Sequence, residues 1–411
     1  MDTMMPLPPS LPLARLSPRV AALRPSPTAA ISDKVRRLAA EGRSIINLGE
    51  GELDFDTPDH VKDAAIAAIH AGQTKYTAVG GTAELKAAVI DKFARENGLT
   101  YGPDEVIVGV GAKPLILNAL LATLAPGDEV VLPAPYWVSY PDMIALADGT
   151  ARIIPCGEKQ GFKLRPEDLE AAITPRTRWV ILNSPGNPSG AVLSPAEMKG
   201  LTDVLVRHPH VLVMADDIYE HIIFDGNFST PAAVEPALFE RTLTINGVSK
   251  AFSMTGWRIG YAGGPAWLVR AMQTLQSQST TNACSISQAA TVAALRGSTD
   301  FLRERLSILR TRRDIVLAAV EAAPGLRCSV PDGAFYVYAN CEELIGRRTP
   351  DGRTIASDLD FADYLLSEAG VGVVHGAAFG LSPYIRIAYA IDTDRLRDAC
   401  ERIRAACARL R

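Results

Sequence analysis

Six predicted strands with helices between them restrict the fold of this chain more than any other feature of its sequence. The strands cover residues 106–111, 128–132, 151–155, 178–182, 211–215 and 242–248, and most of them are apolar runs. Such runs are typical of parallel strands that are buried on both faces. Periodic apolar positions predict helices between them. The alternation predicts an α/β fold with a mostly parallel sheet, helices on both of its faces, and ligands at the carboxyl ends of the strands.

Polar residues follow these strands at the positions where a ligand would bind. Asp216 follows an apolar strand, and a buried acid there needs a partner. Asn187 lies in a loop of prolines and glycines after the strand over 178–182. The turn at Gly111 and Ala112 joins a strand to a helix N-terminus, a geometry whose backbone amides bind anions. Its Gly-x-Gly is not the full dinucleotide pattern, so binding of a phosphate is favoured over a dinucleotide site.

Lys250 lies in a half-apolar loop after the last of these strands. Partial desolvation stabilises the neutral amine of a lysine, and a neutral amine forms a Schiff base with an aldehyde. Ser249 precedes this lysine and Arg258 follows it by eight positions, and the two side chains are suited to bind a phosphate. An aldehyde that carries a phosphate is pyridoxal 5′-phosphate (PLP). A surface lysine beside a structural arginine is the alternative.

The stretch Ser-Lys-Ala-Phe-Ser-Met-Thr-Gly-Trp-Arg-Ile-Gly-Tyr over 249–261 resembles the PLP-lysine signature of the class I aminotransferases. The resemblance runs from about residue 25 to the C-terminus and is closest to bacterial aspartate aminotransferases of the subgroup that includes prephenate-active enzymes. It implies the PLP-dependent transferase fold type I, with a large domain around a mostly parallel seven-stranded sheet and a smaller α/β domain. The predicted division is an N-terminal extension, a segment that joins the small domain, the large PLP-binding domain and the small C-terminal domain, over residues 1–24, 25–58, 59–304 and 305–411.

The resemblance also implies the roles of the cofactor-binding residues. Lys250 holds PLP as a Schiff base and, once released, moves a proton during catalysis. Asp216 keeps the pyridine nitrogen of PLP protonated, which makes the ring an electron sink. Asn187 and Tyr219 contact its phenolic oxygen, and Trp137 stacks on its ring. Gly111, Ala112, Ser249 and Arg258 bind its phosphate.

Further residues are assigned by the resemblance to the substrate and to a second subunit. Tyr76 matches a tyrosine that reaches the phosphate of the other subunit, which implies a homodimer with shared active sites. Gly51 lies in the loop over 49–58, whose backbone covers the substrate, although Leu53 replaces the usual proline there. Arg386, in the middle of an apolar strand, matches the arginine that binds the substrate α-carboxylate, and Asn187 is expected to hold the same carboxylate with it. A structural salt bridge is the alternative for this arginine.

The preferred substrates are inferred from a second cationic group, Lys113, for which a solvated lysine at the start of a helix is the alternative. In the related aspartate aminotransferases, a lysine here meets the distal carboxylate together with hydroxyls that match Ser26 and Thr28. The expected reaction is a ping-pong exchange between aspartate or glutamate and 2-oxoglutarate or oxaloacetate, with prephenate as a further candidate. Pro114, where relatives often have glutamine, leaves aromatic or neutral amino acids as alternative donors. A PLP-dependent lyase or racemase on the same fold is a further alternative.

The amino-acid composition restricts the expected binding partners and the expected cellular location of the protein. The 411 residues carry a net charge of −4, so no nucleic acid or anionic membrane is expected as a partner. Six scattered cysteines without a Cys-x-x-Cys indicate reduced thiols and, with no signal-peptide pattern, a cytoplasmic protein. The six histidines show no metal spacing, so no metal is expected, and no apolar run has the length of a membrane span. Residues 1–24 are rich in proline and are expected to be disordered.

Overall fold

The computed structural model describes residues 16–21, 23 and 25–411 of the chain. The strands found there are β1 (Ile46–Asn47), β2 (Val106–Gly109), β3 (Glu129–Ala134), β4 (Thr150–Pro155), β5 (Thr177–Asn183), β6 (Leu212–Asp216), β7 (Thr242–Gly247), β8 (Gly260–Gly263), β9 (Tyr336–Asn340), β10 (Val371–Gly372), β11 (Val374–His375) and β12 (Tyr384–Ala388).

The helices lie between and around these strands. They are α1 (Pro18–Ala21), α2 (Pro27–Ala40), α3 (Asp59–His70), α4 (Ala83–Lys92), α5 (Ala112–Thr123), α6 (Tyr140–Leu146), α7 (Pro166–Ala172), α8 (Pro195–Val206), α9 (Pro231–Val234), α10 (Ala266–Ser277), α11 (Ser285–Arg296), α12 (Phe301–Ala322), α13 (Asp358–Tyr364) and α14 (Thr393–Ala408). Short π-helical turns extend α4 over Phe93–Asn97 and α13 over Leu365–Ala369.

A seven-stranded sheet organises the larger part of the molecule. Its strand order is β2-β8-β7-β6-β5-β3-β4, and β8 runs antiparallel to both of its neighbours while the other pairs are parallel. The predicted mostly parallel sheet between helices is therefore confirmed. Strand β8 was not predicted, because a four-residue strand with glycine at both ends has no pattern that distinguishes it from a loop.

The two faces of this sheet are buried by different helices. Ile107 of β2 packs in a cluster with Leu115 and Leu120 of α5, whereas its neighbours Val106 and Val108 pack in another cluster with helices α3 and α4. Successive side chains of a strand point to opposite faces, so a strand that is apolar at every position is covered on both. Because β3, β5, β6 and β7 run parallel to one another, their carboxyl ends lie together at one rim of the sheet.

A second core forms around the antiparallel strands β11-β12-β9 and the helices α12, α13 and α14. The N-terminal part of the chain joins this core, since Ile46 and Leu48 are buried in it and β1 pairs in parallel with β10. Arg386 lies on the central strand, β12, opposite Tyr338 of β9. The boundaries between the four predicted segments stay a prediction.

Helix α2 begins at Pro27, because a proline is compatible with the first turn of a helix. The segment before it departs from the expectation of disorder. Within the segment 1–24, expected to be disordered, Pro18–Ala21 forms a helical turn whose Arg19 Nε donates a 3.0 Å hydrogen bond to Asp148 Oδ1. Residues 1–15, 22 and 24 lie outside the described residues. No helix in the described part of the chain is both long and apolar enough to cross a membrane.

Candidate active site

A cavity of about 240 Å³ opens at the rim where the parallel strands end. The predicted residues that line it are Thr28, Gly51, Ala112, Lys113, Trp137, Asn187, Asp216, Tyr219, Ser249, Lys250, Arg258 and Arg386. Gly111 directly precedes the first residue of α5. Ser26 lines a neighbouring cavity that shares Lys113, and Tyr76 is 90% exposed on the surface. Side chains far apart in sequence therefore converge on one site, with Tyr76 outside it.

Lys250 occupies the turn after β7, and its amine lies within the cavity. Its Nζ donates a 2.6 Å hydrogen bond to the backbone oxygen of Gly51. Burial, together with the nearby charge of Arg386, lowers the pKa of Lys250 to about 8. A substantial fraction of this lysine is therefore neutral near physiological pH, the form that reacts with an aldehyde.

Asp216 ends β6 with one of its carboxylate oxygens unpaired. Tyr140 Oη donates a 2.6 Å hydrogen bond to Asp216 Oδ2, whereas Oδ1 is buried and has no hydrogen-bond partner among the described residues. Burial raises the pKa of Asp216, although the hydrogen bond from Tyr140 opposes that change. A protonated ring nitrogen would supply the missing donor and charge. Tyr140 was not predicted, because a tyrosine that begins a helix carries no signal of its own in the sequence.

The start of α5 forms an anion cradle. Gly111 precedes the helix with a φ of 90°, and no side chain caps the helix N-terminus. A Cβ atom on Gly111 would lie 2.6 Å from Arg258 Nη2, so glycine allows the guanidinium to approach the free amides. Ser249 adds a hydroxyl to the same cavity. Amides, hydroxyl and guanidinium together suit a phosphate.

Asn183 links the turn after β5 to the strand end of β6. Its Nδ2 donates a 2.8 Å hydrogen bond to the backbone oxygen of Asp216, and its Oδ1 accepts from the backbone nitrogen of Asn187 at 3.0 Å. Tyr219 Oη and Tyr336 Oη lie 2.8 Å apart, and burial raises the pKa of Tyr219 well above its ordinary value. Tyr219 therefore keeps its proton as a donor. Asn183 and Tyr336 also line the cavity and were not predicted.

Arg386 is a buried cation in neutral surroundings. Its side chain is 1% exposed, Nη1 donates to Asn187 Oδ1 at 2.9 Å, and Nη2 donates to the backbone oxygen of Gly49 at 2.5 Å. Its Nε has no partner among the described residues, and the guanidinium lies 4.6 Å from the ring of Tyr336. A buried guanidinium whose acceptors are neutral oxygens remains uncompensated in charge, so the site favours an anion beside Arg386.

A second cation, Lys113, lies at the outer wall of the cavity. Its Nζ donates to Ser139 Oγ at 3.1 Å and lies 4.8 Å from the ring of Trp137. Burial lowers the pKa of Lys113, and the charge of Arg258 lowers it further. The hydroxyls of Ser26 and Thr28, predicted to act with this lysine, lie 3.0 Å from each other. Thr28 faces the main cavity, and Ser26 faces the neighbouring one.

Known proteins that are similar to this chain belong to one family. A family model described as aminotransferase class I and II matches residues 43–403. The aspartate/prephenate aminotransferase of Cereibacter sphaeroides is 56% identical over 399 residues, which cover 97% of this chain and 100% of that protein. An aspartate aminotransferase of Rhizobium meliloti strain 1021 is 54% identical over 393 residues, which cover 95% of this chain and 96% of that protein.

Solved structures are similar over nearly the whole chain. The crystal structure of the aspartate aminotransferase from Rhizobium meliloti matches with a TM-score of 0.93 and 54% identity, covering 97% of this chain and 100% of that one. The aspartate aminotransferase of Thermus thermophilus with maleate matches with a TM-score of 0.89 and 41% identity, covering 95% of this chain and 99% of that one.

Proposed function

Because the chain belongs to the class I and II aminotransferases, we propose that the cavity around Lys250 is its catalytic site. Enzymes of this family are PLP-dependent and transfer amino groups between amino acids and 2-oxo acids. The residues present fit the cofactor: a partly neutral, half-buried lysine, an unpaired oxygen of Asp216 and an uncapped helix N-terminus beside Arg258. When bound, PLP supplies an aldehyde for the amino group and an electron sink for the bond that breaks.

The residues of the chain provide binding, orientation and proton transfer. Asp216 would hold a proton at the pyridine nitrogen, and Asn187 and Tyr219 would donate hydrogen bonds to the phenolic oxygen. Lys250, as a free amine, would carry the proton between the substrate Cα and the C4′ atom of the cofactor. Arg386 would bind the α-carboxylate through its guanidinium and so orient the substrate for this proton transfer.

The observation that carries this proposal is the pairing of Arg386 with Lys250 in one cavity. A fully buried guanidinium with an unpaired Nε and neutral acceptors supports the binding of a carboxylate. The lysine amine in the same cavity has its pKa lowered to about 8. A molecule with a carboxylate on the carbon next to its amino group satisfies both requirements at once, and that molecule is an α-amino acid.

Lys113 supports substrates with a second carboxylate. It is a further cation in the lining of the cavity, beside Lys250, Arg258 and Arg386, and Thr28 adds a hydroxyl to the same cavity. The related enzymes named above are aspartate or aspartate/prephenate aminotransferases, and the Thermus structure was solved with maleate, a dicarboxylate. The proposed donors are therefore aspartate and glutamate, and the proposed acceptors are oxaloacetate, 2-oxoglutarate and prephenate.

A single-turnover absorbance experiment tests the reaction. The PLP-loaded enzyme is mixed with L-aspartate in the absence of a 2-oxo acid. One equivalent of oxaloacetate per active site is expected, together with a complete change of the cofactor spectrum, and 2-oxoglutarate should then restore the original spectrum. Continued product formation without a 2-oxo acid would instead identify a PLP-dependent lyase. A spectrum that responds to phenylalanine or alanine but not to aspartate would favour aromatic or neutral donors.

The proposed active unit is a homodimer with shared active sites. Tyr76 is 90% exposed, and the apolar side chains of Ile66, Ile69 and Trp267 are about half exposed. Ile66 and Ile69 lie three residues apart on α3 and therefore share one face of that helix, and an exposed apolar face supports cover by a partner subunit.

The proposed location is the cytoplasm. All six cysteines are free thiols, as expected in a reducing compartment, and alkylation in intact cells followed by mass spectrometry checks their redox state.

A further inference from the structure

A buried polar cluster lies next to the segment that carries Asp216 and Tyr219. We call it the Glu220 cluster, and it consists of Lys92, Asn97, Glu220 and Asn246, none more than 8% exposed. Lys92 Nζ donates to Glu220 Oε1 and, at 2.7 Å, to Asn97 Oδ1. Asn97 Nδ2 donates to Glu220 Oε2 at 2.6 Å, and Asn246 Nδ2 donates to Glu220 Oε1 at 2.7 Å. The carboxylate of Glu220 therefore accepts from three different side chains.

The Glu220 cluster is expected to add little to the free energy of unfolding. Desolvation of two opposite charges costs about as much as their attraction returns, and an apolar pair of the same size would pack without that cost. A fully hydrogen-bonded ion pair does, however, fix the relative positions of its residues, because each hydrogen bond requires a particular distance and angle. The Glu220 cluster is therefore better suited to hold chain segments at a fixed separation than to add stability.

A metal ion is a poor explanation for this group of residues. Glu96, Glu220 and His221 bring possible ligand atoms within 4.8 Å of one another. The ammonium of Lys92, however, contacts Glu220 directly and lies 3.6 Å from Glu96. The cation of this cluster is therefore the lysine itself.

The segments joined by the cluster are those that carry the reactive groups. Glu220 directly follows Tyr219 after β6, and Asn246 lies on β7, four residues before Lys250. The hydrogen bond from Asn246 to Glu220 therefore connects β7 to the segment that follows β6. The Lys250 amine lies 5.9 Å from the ring of Tyr219, so a small shift of either segment changes how the two groups meet the cofactor.

We propose that Glu220, paired with Lys92, is a positioning residue for amino transfer. By holding the segment after β6 against β7 through Asn246, it sets the place of the Tyr219 hydroxyl relative to the Lys250 amine. The inference rests on the proposed roles of Tyr219 and Lys250. It predicts that loss of the ion pair alters the electronic state of the lysine-bound cofactor and the rate of the chemical step, beyond any effect on folding.

The test uses the PLP-loaded full chain with Glu220→Gln and with the double substitution Lys92→Met/Glu220→Gln. The double variant removes both members of the buried ion pair, so it is expected to recover most of the thermal stability that Glu220→Gln loses. Glu96→Gln is the matched control, because Glu96 borders the same lysine but makes no contact with Asn246. The measurements are the pH midpoint of the cofactor absorbance, kcat and KM for aspartate, and Tm.

Both Glu220 variants are expected to shift the absorbance midpoint by about half a pH unit or more and to lower kcat about 10–100-fold, with KM little changed. Glu96→Gln should leave the midpoint near that of the wild type. If the midpoint and kcat of the double variant return to wild type together with Tm, the pair is only structural and the proposal is wrong. An unchanged midpoint in both variants also overturns it. The absorbance titration requires bound PLP but no amino transfer, so its result is separable from a failure of the proposed substrates.

Discussion

At the scale of single residues, the buried amine of Lys250 gives a pH-dependent prediction. Burial lowers the pKa of this lysine to about 8, so the amine is protonated below that pH and neutral above it. The neutral amine attacks the aldehyde, and the rate of covalent PLP attachment to the cofactor-free protein should therefore rise with pH and level off above a midpoint near 8. Stopped-flow absorbance across pH 6–10 measures the rate. A rate that still rises steeply at the upper end of this range would contradict a lowered pKa.

Lys113 provides a prediction about substrate choice. If its ammonium pairs with the distal carboxylate, Lys113→Ala removes a partly desolvated ion pair and lowers kcat/KM for aspartate about 10–1,000-fold. Phenylalanine and alanine lack the distal carboxylate, so their kcat/KM should change far less. The measurement is steady-state kinetics with each donor at saturating 2-oxoglutarate. Equal losses for all three donors would mean that Lys113 serves the cofactor instead.

The site residues predicted from the sequence differ in their local sequence context from those recognised only in the structure. Lys250, Asp216 and Arg386 combine a charge with an apolar surrounding sequence, and that contrast is visible in the order of the amino acids alone. Tyr140 and Asn183 act through hydrogen bonds to Asp216, and such bonds depend on which segments the fold brings together. Polar residues at the ends of helices and strands are common, so the sequence context of Tyr140 and Asn183 does not separate them from ordinary cap and turn residues.

At the scale of elements, the junction of β2 with α5 depends on glycine. Gly111 has a φ of 90°, and an added Cβ would lie 2.6 Å from Arg258 Nη2. Gly111→Ala should displace this guanidinium from the helix N-terminus and weaken PLP binding about 10–100-fold, the effect of one lost charge-assisted hydrogen bond and backbone strain. Equilibrium dialysis with cofactor-free protein measures the affinity.

A matched control separates the contact from the backbone strain. Gly127 has a φ of 97°, and no atom lies within 4 Å of an added Cβ. Gly127→Ala should therefore lower Tm through strain while PLP affinity stays near the wild-type value. If both substitutions weaken PLP binding equally, the close approach of Arg258 to Gly111 is not what the glycine is required for.

The elements differ in how well the sequence predicts them. The parallel strands β5 and β6 contain unbroken apolar runs over 179–182 and 212–215, and this pattern predicts buried strands. Strand β8 lacks such a run because it has four residues and begins and ends with glycine. A Cβ on its first residue, Gly260, would lie 2.3 Å from the backbone nitrogen of Ala112, so that glycine is required by the packing of β8 against the start of α5. Such a requirement arises only between segments distant in sequence.

At the scale of the whole molecule, the proposed catalytic site lies where the two cores meet. Arg386 on β12 belongs to the strands of the smaller core, and it donates a hydrogen bond to Asn187 after β5 of the large sheet. The family, the enzyme class, the cofactor and the fold predicted from the sequence are confirmed by the comparisons. The individual site residues stay predictions, because proximity in the folded chain does not by itself demonstrate a catalytic role.

Tyr76 leads to a prediction about the assembled enzyme. Its side chain is 90% exposed and is absent from the lining of the cavity, so a role at the phosphate requires that it enter the active site of a second subunit. Lys250→Ala should be inactive, and Tyr76→Ala should be impaired through weaker phosphate binding. In a hybrid dimer of the two variants, the site that retains Lys250 receives Tyr76 from the other subunit and is intact.

Mixing equal amounts of the two variants, unfolding them together and refolding them should therefore restore roughly a quarter of the wild-type activity, since half of the dimers are hybrids and each hybrid has one intact site. The two variants refolded separately and then assayed as a mixture provide the control, because no hybrids form if subunits do not exchange during the assay. Sedimentation checks that all samples are dimers. Activity no higher than in this control would show that Tyr76 acts within its own subunit or not at all, and a fully active monomer would exclude shared active sites altogether.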